Sequence, residues 1–272
     1  MYDEGRGVPR SEEEALKWYE AAAKQGDAAA QVNLGAMYSA GRGVPQNYQM
    51  ARNWWLIAAE RGETTPDQLN LMRSLGVSWR SSAQDQARLN LGELYENGHG
   101  VLQDYREALR WYEAADGYGP AQFKAGRMYY HGRGVPENFE SAVSWWQSAA
   151  SNYDSNAQFN LGIMYTHGRG VSQDDGEALK WYRKAAERGN SMAQFHLGWM
   201  YHEGRGVPQS DEEALKWYRA AAGRGDASAQ VNLGAMYSTG RGVAQDYIEA
   251  YKWAILAAAQ SNEDASSPSD LS

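Results

Sequence analysis

The feature that most constrains the fold is a tetrapeptide, Gly-x-Gly-Val, that returns along the whole chain. Its copies begin at Gly5, Gly41, Gly98, Gly132, Gly168, Gly204 and Gly240. The last four copies follow one another every 36 residues, whereas 57 residues separate the second copy from the third. A nearly fixed period of this length is the signature of a solenoid made from stacked supersecondary units. The sequence therefore predicts a tandem-repeat protein.

One repeat, residues 156–191, reads as two helices joined by a glycine turn. The first segment has apolar residues at the spacing of one helical face: Ala157, Leu161, Met164 and Tyr165. Gly168 and Gly170 then end the helix, because glycine adopts the positive φ of a tight connection without steric cost. The second segment carries its own stripe: Ala178, Tyr182, Ala185 and Ala186. Because one helix pair cannot bury both of its faces, neighbouring pairs must stack. We predict an all-α fold, an α/α superhelix (solenoid) of stacked antiparallel helix pairs.

Two smaller motifs accompany each repeat. The start of the second helix carries a capping-box pair, in which the first residue satisfies free amide groups of the opening turn. The pairs are Ser11–Glu14, Asp104–Glu107, Asp174–Glu177, Ser210–Glu213 and Asp246–Glu249. A glycine such as Gly162 lies inside each first helix, where it costs about 1 kcal/mol relative to alanine. We interpret these glycines as sockets for aromatic side chains of a neighbouring helix, drawn from Trp-Tyr pairs such as Trp181–Tyr182.

These motifs resemble the Sel1-like repeat, a relative of the tetratricopeptide repeat. The matching pattern is Ala-Gln-x-x-Leu-Gly-x-Met-Tyr-x-x-Gly-Arg-Gly-Val-Pro, found at residues 193–208, followed by Glu-Ala-Leu-Lys-Trp-Tyr-x-x-Ala-Ala at residues 213–222. The resemblance covers about nine-tenths of the chain. It implies a tetratricopeptide-like superhelix that acts as an adaptor or scaffold. Such proteins are common in bacteria, where they serve signalling, envelope assembly and host interaction.

The departures from the repeat predict the domain organisation. Residues 1–60 are expected to hold the N-terminal repeats, with a truncated first helix because Met1-Tyr2 aligns with the Met-Tyr of later repeats. Residues 61–85 form an insertion with a short extra helix that starts near Pro66, either packed on the solenoid's edge or acting as a hinge. Residues 86–262 are assigned to the Sel1-like array, and residues 263–272 to a polar disordered tail.

Composition excludes several functional classes. The net charge of −8 opposes binding to phosphate backbones, so we expect no nucleic-acid partner. The absence of cysteine rules out disulfides, thiolate zinc sites and cysteine nucleophiles. The longest wholly apolar run, residues 253–259, is far shorter than the roughly 20 residues that span a bilayer. No export signal opens the chain, but an expected truncation leaves the compartment open between cytoplasm, periplasm and secretion.

The sequence does not point to catalysis or to a metal. It has no His-Glu-x-x-His, Gly-x-x-x-x-Gly-Lys, Gly-x-Ser-x-Gly or Ser-x-x-Lys motif. His131 and His167 occupy equivalent positions in adjacent repeats, but equivalent helices lie roughly 10 Å or more apart, too far to share an ion. The arginine in the glycine loops, as in Arg205, is interpreted as structural, bonding helix-terminal carbonyls or the acidic start of the next helix. We expect a non-enzyme without cofactor or metal.

Binding specificity is expected where the repeats differ. One i, i+3, i+7 stripe on the first helices is not used by the repeat signature, and by analogy with tetratricopeptide stacks it faces the concave groove. We refer to it as the first-helix stripe. Its candidate partner-binding residues are Asn90, Glu93, Lys124, Arg127, His131, Asn160, His167, His196 and Trp199. Lys124, Arg127 and Asn160 are expected to form a positively biased centre that suits a carboxylate, with Trp199 as an apolar anchor. An ordinary solvated helix face remains the alternative.

The function predicted from the sequence is a non-catalytic protein–protein interaction scaffold. Its partner is expected to be a protein or a peptide, with a carboxylate-bearing segment as the favoured ligand. The alternative is a module that binds cell-wall glycan or peptidoglycan fragments through exposed aromatic rings. A salt-sensitive peptide affinity would favour the first function, and a saccharide-induced change in tryptophan fluorescence the second.

Overall fold

The computed structural model describes residues 11–60 and 82–266 of the chain, with side chains from residue 83 to 259 in the second range. Within these ranges the chain is helical, and no strand is present. The predicted insertion lies largely outside the described residues, at 61–81, as do the expected truncated helix and residues 267–272. The all-α prediction is confirmed.

Thirteen helices lie in the described ranges. The first seven are α1 (Glu12–Lys24), α2 (Ala28–Ala40), α3 (Tyr48–Glu60), α4 (Ser82–Asn97), α5 (Tyr105–Ala114), α6 (Gly119–His131) and α7 (Phe139–Ser151). The other six are α8 (Ser155–His167), α9 (Asp175–Glu187), α10 (Ser191–Glu203), α11 (Asp211–Ala222), α12 (Ala227–Thr239) and α13 (Tyr247–Ser266). The last helix thus includes residues 263–266, which the sequence assigned to the tail.

The helices form two compact units, residues 1–152 and residues 153–272. In the first unit α2 packs on α3, α4 on α5 and α6 on α7, and each pair packs on the next. In the second unit the pairs are α8–α9, α10–α11 and α12–α13, again packed in order. Each unit is therefore a solenoid of stacked helix pairs, as the repeat period predicted.

At the starts of the second helices, only one side of the predicted capping box forms: the side chain of the first residue accepts the backbone N–H groups of the opening turn. The Asp174 side chain accepts hydrogen bonds from the backbone N–H groups of Gly176 and Glu177, at 2.8 and 2.9 Å. The reciprocal bond is not formed, because the Asp174 N–H already donates to the carbonyl of Tyr165 at 3.0 Å. The glutamate instead pairs with a lysine one turn later, as in Glu177–Lys180 at 2.5 Å.

The glycine sockets are confirmed in five of the described helix pairs, where the second helix of the same pair supplies the aromatic ring. A Cβ atom added at Gly198 would lie only 2.8 Å from the Tyr218 ring. The remaining filled sockets pair Gly35 with Trp55, Gly92 with Tyr112, Gly126 with Trp146 and Gly162 with Tyr182. The close approach of the helices thus explains why glycine occurs inside a helix. Gly234 is the exception, since no ring lies over it.

Successive repeats are joined by polar contacts as well as by apolar packing. Gln194 donates to the carbonyl of Ala186 at 3.0 Å and so caps the end of the preceding helix. Arg205 forms a bidentate ion pair with Asp175, at 2.6 and 3.1 Å. The prediction that the loop arginine pairs with the next helix is therefore wrong at Arg205. Stacking places the loop beside the start of the preceding second helix instead.

Candidate interaction surface on the first helices

The structure divides the first-helix stripe between the two units. Asn90 and Glu93 on α4 and Lys124, Arg127 and His131 on α6 belong to the first unit. Asn160 and His167 on α8 and His196 and Trp199 on α10 belong to the second.

In the first unit, the stripe contains a buried polar cluster centred on Glu96 of α4. Lys124 Nζ lies 3.1 Å from Glu96 Oε2 and 3.3 Å from Glu93 Oε1. The hydroxyl of Tyr112 donates to Glu96 Oε2 at 2.6 Å. The Glu96 side chain is only 10% exposed, so its charge needs these partners. We call Glu93, Glu96, Tyr112 and Lys124 the Glu96 cluster.

The environment of Glu96 keeps it ionised. Burial acts to raise its pKa, but the hydrogen bond from Tyr112 and the charges of Lys124 and Arg127 outweigh burial, so the pKa of Glu96 lies below its usual value. Conversely, burial and the neighbouring Glu96 carboxylate raise the pKa of Tyr112, which therefore stays a hydrogen-bond donor. The Glu96 cluster is thus charged and hydrogen-bonded at neutral pH.

These contacts change the expected charge of the stripe. Lys124 is engaged by two carboxylates of its own chain and is only partly exposed. Arg127, one helical turn later, is half-buried and forms no ion pair or hydrogen bond within the described residues. His131 is an exposed residue at the end of α6. Partial burial of its ring, together with the charges of Arg133 and Arg127, lowers its pKa. In the first unit, the available positive charge of the stripe therefore rests on Arg127.

In the second unit, aromatic packing dominates the stripe. The His196 ring stacks on Tyr182, with centroids 5.1 Å apart and an interplanar angle of 11°, and lies 5.4 Å from the rings of Phe159 and Phe195. Burial among these rings lowers the pKa of His196, so the imidazole is neutral at pH 7. His167 is exposed at the end of α8. The structure thus uses His196 to join neighbouring repeats.

The remaining two candidates of the second unit are half-buried. Trp199 packs in the cores of two successive repeats, and the guanidinium of Arg205 lies 5.1 Å from its ring centroid. Asn160 lies on α8 and has no hydrogen-bond partner among the described residues. Trp199 therefore has one ring face covered by a cation of its own chain, and the Asn160 amide is left for a ligand or water.

Sequence reasoning missed Glu96 and Tyr112, although a signal was present. A tyrosine in a glycine socket must satisfy its hydroxyl group. In the α8–α9 pair Tyr182 does so with Thr166, at 3.1 Å. The residue at the Thr166 position in the α4–α5 pair is Glu96, which serves Tyr112 in the same way. Comparing the residue 16 positions before each socket tyrosine would have predicted this contact.

Residues 11–60 and 82–266 contain no group of three His, Asp or Glu side chains that could hold a metal ion. No described helix has both the length and the apolar character needed to cross a membrane.

The fold and the stripe define a class of protein, the α/α solenoids that present a surface of first helices. The model of the Sel1 repeat matches residues 1–27, 28–63, 85–115, 119–154, 155–190, 191–226 and 227–262. The chain belongs to the Sel1 repeat family. Proteins of this family are generally non-catalytic and act as protein–protein interaction scaffolds.

Solved structures support this membership. One is c5321, a protective antigen present in uropathogenic Escherichia coli strains and displaying an SLR fold, with 35% identity over 92% of this chain and a TM-score of 0.81. Another is a Sel1 repeat protein from Oxalobacter formigenes, with 33% identity over 97% of this chain and a TM-score of 0.76. This chain spans 50% of the first and 71% of the second. No curated protein matches it.

Proposed function

We propose that the chain is a scaffold that binds a peptide or protein segment at the part of the first-helix stripe that lies in the first unit, with Arg127 as the point that engages a carboxylate. Sel1 repeat proteins generally act as protein–protein interaction scaffolds, and Arg127 is the available positive charge of the stripe in the first unit. A guanidinium recognises a carboxylate through two parallel hydrogen bonds, which a lysine cannot reproduce.

The observation that carries the proposal is the contrast between Lys124 and Arg127. Both lie on α6, yet Lys124 is neutralised by Glu93 and Glu96 whereas Arg127 has no ion-pair partner within the described residues. Two members of the Glu96 cluster, Glu96 and Tyr112, are buried and hydrogen-bonded to each other. A half-buried arginine without an ion pair beside such a polar cluster favours binding over simple solvation.

The structure offers less support for glycan binding. Trp199, the aromatic candidate of the stripe, is half-buried with Arg205 over its ring. Trp18 on α1 is 63% exposed, but it does not belong to the stripe. The glycan alternative therefore stays a prediction from the sequence, and a soluble saccharide that shifts tryptophan fluorescence would support it.

The experiment compares three forms of the full chain as bait in a native bacterial lysate: wild type, Arg127→Glu and Arg106→Glu. Arg106 on α5 is an exposed arginine away from the stripe, so its variant carries the same charge change. Circular dichroism first confirms that all three are folded, and mass spectrometry identifies the captured proteins.

We expect a protein that wild type and Arg106→Glu retain and that Arg127→Glu loses. A peptide from that protein should then bind with an affinity at least 10-fold weaker for Arg127→Glu, and the affinity should fall as salt is raised. Equal capture by all three forms would remove Arg127 from the site. Capture of no protein by wild type would contradict the scaffold.

A further inference from the structure

The second unit carries positively charged side chains at the turns that lead from one helix pair to the next. Lys184 lies in the last turn of α9, Arg188 follows the end of α9, and Arg224 follows the end of α11. All three are exposed. Tyr153, in the turn before α8, is 68% exposed. We call Tyr153, Lys184, Arg188 and Arg224 the turn patch.

The stacking of the helix pairs places the two arginines of the turn patch along one edge of the unit. The guanidinium of Arg188 lies 4.4 Å from the centroid of the Tyr153 ring, which belongs to the preceding turn. Arg224 takes the same position one repeat later, because a Cβ atom added at Gly189 would lie 3.3 Å from its Nη2 atom. Each guanidinium therefore rests on the turn of the repeat before it.

The cations of the turn patch are not neutralised by carboxylates of the described chain. Within the described residues, none of Lys184, Arg188 and Arg224 forms an ion pair. The Nζ atom of Lys184 lies 4.1 Å from the centroid of the Trp181 ring. Arg224 donates from Nη1 to the carbonyl of Ala220 at 3.3 Å, which uses one of its five N–H groups. The patch thus leaves several hydrogen-bond donors for an anionic ligand.

Tyr153 occupies its turn against the preference of its own backbone. Its φ is +64°, and no other non-glycine residue of the described chain has a positive φ. At the same position other turns have Gly26, Gly189 and Gly225, with φ of 95°, 86° and 87°. Glycine adopts this conformation freely, whereas the Cβ atom of a tyrosine approaches the backbone too closely. An exposed residue held in a strained conformation points to a functional role, and here the ring holds Arg188.

We propose that the turn patch binds an acidic segment of a partner protein, with carboxylates paired to Arg188 and Arg224 and with Tyr153 as the residue that positions Arg188. A guanidinium binds a carboxylate through two parallel hydrogen bonds. Neighbouring helix pairs lie roughly 10 Å apart, so two carboxylates about three residues apart in an extended segment reach both arginines. This site does not use Arg127, which lies in the first unit.

The charge of the chain favours a short acidic segment over a long polyanion. A nucleic-acid backbone or an anionic bilayer extends beyond the patch, and the net charge of −8 repels it there. Within the same unit, residues 211–213 at the start of α11 are all acidic, and Glu187 follows Lys184 on α9. A short segment can contact the three cations of the patch without meeting the rest of this negative surface.

The test measures the binding of a fluorescein-labelled hexaglutamate peptide to the full chain by fluorescence anisotropy. Every form carries Arg127→Glu, so the site proposed in the first unit does not contribute. Adding Arg188→Glu should weaken binding at least 10-fold, and raising the salt concentration should weaken binding to the parent. The matched control adds Arg106→Glu, the same charge change at an exposed arginine of α5, and should bind like the parent.

A second pair of variants tests the role of Tyr153. Tyr153→Gly relieves the strained φ, so its thermal unfolding midpoint should be no lower than that of the parent, while its affinity for hexaglutamate should fall about 5-fold as Arg188 loses its ring. Tyr153→Phe keeps the ring and should bind like the parent. A lower midpoint for Tyr153→Gly with unchanged affinity would mean that the tyrosine serves the fold, and would overturn its positioning role.

Three outcomes would overturn the binding site itself. The first is no anisotropy change when hexaglutamate is added to the parent, and the second is equal weakening by Arg188→Glu and Arg106→Glu. The third is tighter binding of single-stranded oligouridylate or of phosphatidylserine vesicles than of hexaglutamate, which would assign the patch to another class of partner. Because every form lacks Arg127, these failures are distinct from failure of the proposed function.

Discussion

At the scale of single residues, contacts between helices decide what each charged side chain can do. Lys124 and Arg127 are equivalent in sequence terms, as cations one turn apart on α6. Lys124 meets Glu96 and Glu93 of α4, whereas Arg127 meets no carboxylate within hydrogen-bonding distance among the described residues. From the sequence, both residues are candidate ligand-binding cations. Only the packing of α4 on α6 shows that Lys124 is already paired and that Arg127, within the described residues, is not.

Glu96 should make the stability of the chain depend on pH. Its pKa is lower folded than unfolded, so its ionised form stabilises the fold above the unfolded pKa, and this stabilisation is lost as the pH falls through the folded pKa. The Glu96→Gln substitution should lower the free energy of unfolding by about 1–3 kcal/mol at pH 7, as expected for a hydrogen-bonded charge. Between pH 7 and pH 3, the variant should also lose less stability than the wild-type protein. Urea unfolding followed by circular dichroism at both pH values checks this. Equal pH dependence in the two proteins would contradict it.

At the scale of the helix pair, the glycine sockets link sequence to packing. The sequence predicted an aromatic partner from glycine's position alone, and five sockets contain one. It did not reveal that Gly234 is open, because this depends on the single residue Ala254 on the facing helix. A motif that recurs can thus differ in packing at one copy.

Gly162→Ala and Gly234→Ala form a matched pair for this interpretation. A Cβ atom at position 162 would lie 2.5 Å from the Tyr182 ring, so the ring must move. We therefore expect the free energy of unfolding to fall by about 1–3 kcal/mol. At position 234 the nearest atom is the carbonyl oxygen of Ala250, at 3.2 Å, and alanine's better helix propensity of about 1 kcal/mol offsets this contact. Thermal unfolding midpoints should fall for the first variant and stay near wild type for the second. A similar fall in both would refute the role of the ring.

At the scale of the whole molecule, the described helix pairs of each unit are stacked in chain order. The helix contacts run from each pair to the next, within the first unit and within the second. In such a stack, stability is the sum of repeat and nearest-neighbour terms. Damage to one repeat should therefore remain local.

Gly126→Val places two further methyl groups beyond the Cβ atom beneath the Trp146 ring in the α6–α7 pair. We expect amide hydrogen exchange to accelerate in α5, α6 and α7, while α10 to α12 keep wild-type protection. Hydrogen-exchange mass spectrometry at pH 7 measures both regions in one experiment. Uniform acceleration throughout the chain would show that it unfolds as one cooperative block.

The sequence by itself determined the repeat period, the helix pairs, the amide caps and the glycine sockets. These features depend on residues close together in one repeat, so spacing and residue type are sufficient to predict them. The tertiary structure decided which charges are neutralised and which apolar faces are open. Lys124 and Glu96 are 28 residues apart, and Val32 and Val231 share the same local sequence but differ in burial. Both outcomes depend on which helix packs against which, and no local pattern contains that information.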